Sequence, residues 1–205
     1  DGTAGGRSIS PGTSFGVDIA AMYRSDRFAS IFEGSDAFFS AGINISNMGR
    51  SLNYSEEGEK DPLPTVLRFG WAFTTELGAA GHHTLTFAND FSKLMVRADK
   101  KAGPVEALFT SWGSLERQTG QGTTVTLSTL QQFMVGVGLE YWYDNLFSLR
   151  SGYYYEDPHN GNREFLTLGA GVHYKFIGVN FSYIYAVEEQ HPLANTTRFG
   201  LILDL

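Results

Sequence analysis

Hydrophobic and polar residues alternate through most of this chain at the two-residue period of a β-strand, in nine separate runs. The first places Phe15, Val17, Ile19, Ala21 and Tyr23 on one face, and the second sets Phe39, Ala41, Ile43 and Ile45 against Ser40, Gly42, Asn44 and Ser46. In the third, Leu67, Phe69, Trp71 and Phe73 alternate with Arg68, Gly70, Ala72 and Thr74, and Glu76 extends the polar face. Leu85, Phe87 and Phe91 form the fourth, which Asn89 weakens. After a long gap, Phe133, Val135, Val137, Leu139 and Tyr141 stand opposite Gln132, Met134, Gly136, Gly138 and Glu140. The sixth run has Phe147, Leu149, Tyr153 and Tyr155 against Ser148, Arg150 and Gly152. In the seventh, Leu166, Leu168, Ala170, Val172 and Tyr174 face away from Thr167, Gly169, Gly171, His173 and Lys175. Val179, Phe181, Tyr183 and Tyr185 make the eighth; Phe199, Leu201, Leu203 and Leu205 close the chain, with Arg198, Gly200 and Asp204 behind them.

Alternation alone fits a soluble sandwich or lipocalin-like barrel as well as a membrane barrel. Two features favour the membrane. Aromatics gather at strand ends, in Tyr141-Trp142-Tyr143 and Tyr153-Tyr154-Tyr155, as in the girdles at membrane interfaces. The links also alternate in length. Counting back from the C-terminus they occupy 188–194, 176–178, 156–164, 144–145, 92–131, 78–83, 48–65 and 24–37, long and short in turn, with the last a less tight turn. Outer-membrane barrels have short periplasmic turns and longer external loops. The expected fold is therefore an all-β, antiparallel, up-and-down transmembrane β-barrel. Residues 1–205 are expected to form the C-terminal part of one such domain in the bacterial outer membrane. Nine strands is an odd number, so an odd number is expected to precede residue 1.

Composition narrows the function. The 205 residues include 24 Gly, 16 Phe and 10 Tyr, no cysteine, and a net charge of −7. The acidic balance, without a basic stripe, argues against nucleic acid. Without cysteine there is no disulfide scaffold, thiol catalysis or cysteine-based zinc site. No apolar run approaches a membrane helix, which says nothing against a barrel. The N-terminus has neither the basic start nor the apolar centre of a signal peptide, so either a signal has been removed or the chain begins partway through a longer protein.

No catalytic constellation stands out. His82 and His83 read as solvated turn residues without a zinc motif, and no metal or cofactor is expected. His173 shares its expected inward face with serines such as Ser182, but a hydrolase needs a third orienting group and an oxyanion hole. The inward charges Arg68, Glu76, Glu140, Arg150, His173, Lys175, Arg198 and Asp204 mix signs, which suits bracing of a lumen better than a charge-selective pore. In the long link, Pro104 opens a helix on which Val105, Leu108, Phe109 and Trp112 share one face. Such a helix either caps its own barrel mouth or docks a partner through its aromatic anchors. Glu56 and Glu57, in an acidic link, read as a solvated tip or as a polar rim for protein contact.

Several segments resemble the PorV (LptO) family of type IX secretion proteins. They are Gly42-Ile-Asn-Ile-Ser-Asn-Met-Gly49, Leu63-Pro-Thr-Val-Leu-Arg68 and His83-Thr-Leu-Thr-Phe87, followed by Glu140-Tyr-Trp-Tyr-Asp-Asn-Leu-Phe147, Gly161-Asn-Arg163, Thr167-Leu-Gly-Ala-Gly171 and Pro192-Leu-Ala-Asn-Thr196. The paralogous PorQ proteins are similar in kind but match less well. The resemblance implies a fourteen-stranded barrel related to the fatty-acid channel FadL, with five strands before residue 1. It implies a non-enzymatic shuttle that binds the translocon and the C-terminal signal domain of secreted cargo, then passes the cargo to the surface attachment complex. Within that family role, Leu108, Phe109 and Trp112 are the candidate partner-binding residues, beside Glu56 and Glu57. The alternative is a FadL-like channel for hydrophobic small molecules. A lipid-modifying enzyme barrel would need a lipid-facing nucleophile and base, which the sequence does not supply.

Overall fold

The computed structural model describes residues 2–4, 7–9, 13–51, 62–78, 81–97, 102–118, 122–187 and 193–204. In chain order the elements are β1 (Gly2–Ala4), β2 (Arg7–Ile9), β3 (Gly16–Arg24), β4 (Phe28–Ala29), β5 (Asp36–Gly49), β6 (Val66–Glu76) and β7 (His83–Leu94). Then come helix α1 (Pro104–Thr110), β8 (Leu115–Gln118), β9 (Thr124–Leu127), a 3-10 turn (Leu130–Gln132), β10 (Phe133–Tyr143), β11 (Phe147–Glu156), β12 (Glu164–Tyr174), β13 (Ile177–Ala186) and β14 (Thr196–Leu203).

All nine expected strands form, as β3, β5, β6, β7 and β10 to β14. They pair in the order β14-β13-β12-β11-β10-β7-β6-β5-β3, each beside its neighbour among the long strands. The fold is thus all-β, with one large up-and-down sheet in which β10 to β14 pair antiparallel in succession. The sequence pattern missed three small features. β1 pairs with β2, β4 pairs with the start of β5, and β8 pairs with β9 inside the long link. These pieces are too short to announce themselves by alternation. Tight turns separate β10 from β11 and β12 from β13, and Asp144, Asn145 and Lys175 in them adopt positive φ. Lys175 therefore belongs to a turn and not to the inward face of a strand, which corrects its expected place.

By contact clustering the chain divides into two compact units. One comprises Asp1–Ala21, Ile43–Arg68 and Ser92–Phe133; the other comprises Met22–Gly42, Phe69–Phe91 and Met134–Leu205. Within the second unit the registers align whole rows of side chains. Tyr141, Leu149, Ala170, Phe181 and Phe199 form one apolar row, and Tyr143, Phe147, Val172, Val179 and Leu201 form the next. On the opposite face lie Glu140, Arg150, Gly169, Ser182 and Arg198, and beside them Trp142, Ser148, Gly171, Asn180 and Gly200.

Exposure follows these faces in an order opposite to that of a water-soluble sheet. In β12, Leu166, Leu168, Ala170, Val172 and Tyr174 are exposed, whereas Thr167, Gly169, Gly171 and His173 are covered or half-covered. Leu168 is 62% exposed and Ser148, on the polar face, is 2% exposed. A soluble protein buries its large apolar side chains and rarely leaves a contiguous apolar face open. The aromatic triplets divide between the faces. Tyr141 and Tyr143 join the apolar rows, while the Trp142 ring lies 5.3 Å from the Arg150 guanidinium carbon on the polar face. Likewise Tyr154 stacks on Phe165, and Tyr153 on the other face donates to Glu164. Each triplet thus gives the apolar face two rings, not three.

Candidate functional site

The long link is built on α1. Pro104 occupies the first turn, where its missing N–H costs nothing, and Glu106 sits favourably at the same end. The helix buries Ala107 and, just past its end, Ser111. Its large apolar side chains point elsewhere: Phe109 is 78% exposed, Val105 is also exposed, and Leu108 is half-covered. Trp112 lies beyond the helix, not on it as its spacing suggested. Its indole N–H donates to Leu108 O at 2.7 Å, and its ring makes a tilted contact with Phe133. Trp112 therefore braces its own segment as well as showing an edge to solvent. Leu130, at the start of the 3-10 turn, is 82% exposed. Glu56 and Glu57 lie outside the described residues.

Beneath the link is a buried post that the sequence reading did not find. Lys93 is 1% exposed and donates to Gln132 Oε1 at 2.7 Å, and the Gln132 amide donates in turn to Gly113 O at 2.9 Å and Ser128 O at 3.2 Å. A buried side-chain amide satisfied this fully holds the loop's entry and exit together. The available signal was parity. Asn89 and Lys93 fall where β7 calls for apolar residues, and Asn89 likewise uses its amide, donating to Gly136 O at 3.2 Å.

Nearby, in the same unit, β5 carries a bulge at Asn47, whose φ is 59°. Its N–H donates to Asp18 at 2.7 Å, its carbonyl accepts from the Thr65 hydroxyl at 3.0 Å, and its side chain donates to Pro64 O at 3.3 Å. Two residues on, a Cβ on Gly49 would lie 2.1 Å from Phe15 O, so only glycine fits that approach. Asn47→Val is expected to lower unfolding stability by about 2–3 kcal/mol, combining left-handed strain with a lost hydrogen bond. Asn47→Gly, which tolerates the same φ, should cost about 1 kcal/mol, since it gives up only the side-chain bond. Urea midpoints of the two variants compare them directly. If valine were no worse than glycine, the bulge would not depend on backbone conformation.

The polar face gathers several of the expected inward charges into pairs. Arg150 bridges Glu140 on β10 and Asn180 on β13, reaching Asn180 at 2.7 Å across Gly171. A Cβ on Gly171 would meet Ser148 Oγ at 2.5 Å and Asn180 Oδ1 at 2.6 Å, so the glycine makes room for this crossing. Glu76 pairs with Arg27, and His173 Nε2 lies 2.9 Å from Asp204, turned to a carboxylate and not to Ser182. Arg198 stands opposite Ser182, Arg68 is engaged elsewhere, and Lys175 lies over the Tyr174 ring at 5.4 Å. Asn180 and Ser148 were not singled out from sequence, because neutral polar residues on a polar face carry no signal of their own. Among the described residues no cluster of three metal-ligating side chains forms.

The link between β11 and β12 is also internally tied. Glu156 is buried and accepts from Arg163 Nε and, at 3.1 Å, from Asn160 Nδ2. Three successive N–H groups, of Asn160, Gly161 and Asn162, converge on Asp157 O. The hydrogen bond to Glu156 pushes the Arg163 pKa up from the ordinary arginine value, against the opposing effect of burial.

A family model described as type IX secretion system protein PorV matches residues 3–101. Through that stretch, just under half of the chain, the sequence is similar to the PorV family. No curated protein matches it. The family so matched is one of type IX secretion proteins. The match covers the Asn47 bulge, its partners Asp18 and Thr65, Gly49 and the buried Lys93. The matched stretch thus includes part of the framework under the link. The helix with its exposed aromatics follows the matched stretch.

Proposed function

We propose that this chain is part of a non-enzymatic outer-membrane barrel, a shuttle subunit that binds other proteins of type IX secretion. In this reading the apolar face meets lipid and the polar face, braced by pairs such as Glu140–Arg150, lines the interior. The links at 50–65, 95–132, 157–163 and 187–195 are external, and the one at 95–132 docks a partner. The partners are the translocon, the C-terminal signal domain of secreted cargo, and the attachment complex.

The observation that carries the docking role is the orientation of α1. Its small residues Ala107 and Ser111 face inward while Val105 and Phe109 face solvent. A lid over its own barrel would turn the large side chains the other way. Exposed aromatic and aliphatic anchors supply a large share of interface energy. The variant Phe109→Ala/Leu130→Ser therefore tests the reading, because both side chains contribute little internal packing. Recovery of translocon and cargo proteins from native outer membranes should fall at least tenfold, at about 2 kcal/mol or more for a central anchor. The melting temperature should stay unchanged. A lowered melt with full recovery would leave the segment as a lid. Trp112→Ala is expected to do both, since Trp112 holds Leu108 and Phe133 as well as showing an edge.

A further inference from the structure

On the apolar face of β10 to β13, small Ala170 stands in a row between Leu149 and Phe181, with Phe147 and Val172 in the adjoining row. The missing bulk leaves a groove of about 400 Å³ lined by these residues and Tyr141. The groove offers a ligand almost nothing polar. The strand backbones on either side are paired with one another, and the Tyr141 hydroxyl is turned to His83 Nδ1 at 2.6 Å. Ser148 is buried on the opposite face.

One end of the groove is marked by charge. Val172 lies two residues before Tyr174 on the same face, and the exposed Lys175 in the following turn holds its ammonium 5.4 Å from the Tyr174 ring centroid. At the neighbouring turn, Asp144 is paired with His82. At this end of the apolar face Lys175 is thus an exposed cation seated beside an aromatic, as at a membrane interface.

We infer that this groove is a specific site for one phospholipid, with an acyl chain lying over Ala170 and an anionic headgroup phosphate at Lys175. A protein partner is a poor occupant, because protein interfaces carry about one hydrogen bond per 100–200 Å² and this groove offers none. A hydrocarbon chain needs none and gains by each methylene it buries. The inference rests on the membrane reading proposed above.

The test uses the full-length protein inserted into vesicles of equal phosphatidylcholine and phosphatidylglycerol, extracted in mild detergent and weighed by native mass spectrometry. One phosphatidylglycerol should remain on the parent protein. Ala170→Phe, which fills the groove, should reduce retention roughly tenfold, the effect of losing about two buried methylenes. Lys175→Gln should retain a lipid but lose the preference for phosphatidylglycerol. Leu166→Phe, on the same face outside the groove, should change nothing. Protease protection of the vesicle-bound protein separates the two ideas. A parent that does not insert overturns the membrane reading. An inserted parent that carries no lipid, or an inserted Ala170→Phe that holds lipid as the parent does, overturns the groove alone. If Ala170→Phe fails to insert, Ala170→Leu takes its place with the same expected loss.

Discussion

Leu168→Arg should cost the vesicle-inserted protein about 2–4 kcal/mol, the penalty for an arginine on the lipid face near the middle of a membrane strand. Leu168 lies near the centre of β12 and is 62% exposed, so its side chain contributes little packing. In water the same substitution at so open a position would stay within about 0.5 kcal/mol. The large effect is thus specific to lipid, and it is read as the yield of folded protein after insertion. Thr167→Ser, one residue away on the polar face, should fold as the parent does. Equal yields from Leu168→Arg and the parent would mean that the apolar face does not meet lipid.

Arg163→Ala should be comparably damaging for a different reason. Glu156 is 5% exposed, and removing its guanidinium partner leaves a buried carboxylate with only the Asn160 amide. Arg163 is half exposed, so removing it leaves the buried carboxylate short of a charged hydrogen bond at about 1–3 kcal/mol, whereas removing both charges is milder. The double variant Glu156→Gln/Arg163→Ala is therefore expected to recover most of the loss seen with Arg163→Ala alone. Thermal unfolding of the three proteins measures this. A double variant as unstable as the single one would show that Arg163 acts by packing and not by neutralising Glu156.

The strands were legible in the sequence because a two-residue period survives any local accident of packing, and side chains on one face must share a solvent. Link parity was legible for the same reason, since up-and-down pairing needs only short turns at one end. The departures each have a local cause. Lys175 continues the alternation of β12 by number, but the backbone has already turned under it. Trp112 keeps helical spacing past the last helical residue because its indole caps a carbonyl. Asn89 looked like a flaw in a strand and Lys93 carried no mark, yet they are the residues that reach across to Gly136 O and Gln132. The segment that carries α1 was visible as an amphipathic stretch, but which way it faces depends on Ala107, a residue too small for the pattern to mark.

The seam between β7 and β10 sets an order of assembly. Hairpins among β10 to β14 close over turns and links of a few residues, but β7 meets β10 only after the chain has travelled from 95 to 132. Closing a flexible loop of that length costs about 2.5 kcal/mol more than closing a two-residue turn. Pairings across long separations form late for this reason. The β8–β9 hairpin and α1 are local structures, able to form before the seam does, and each shortens the stretch that must still be gathered in. Local structure within the insertion that carries Phe109 thus offsets part of the closure cost that its length imposes.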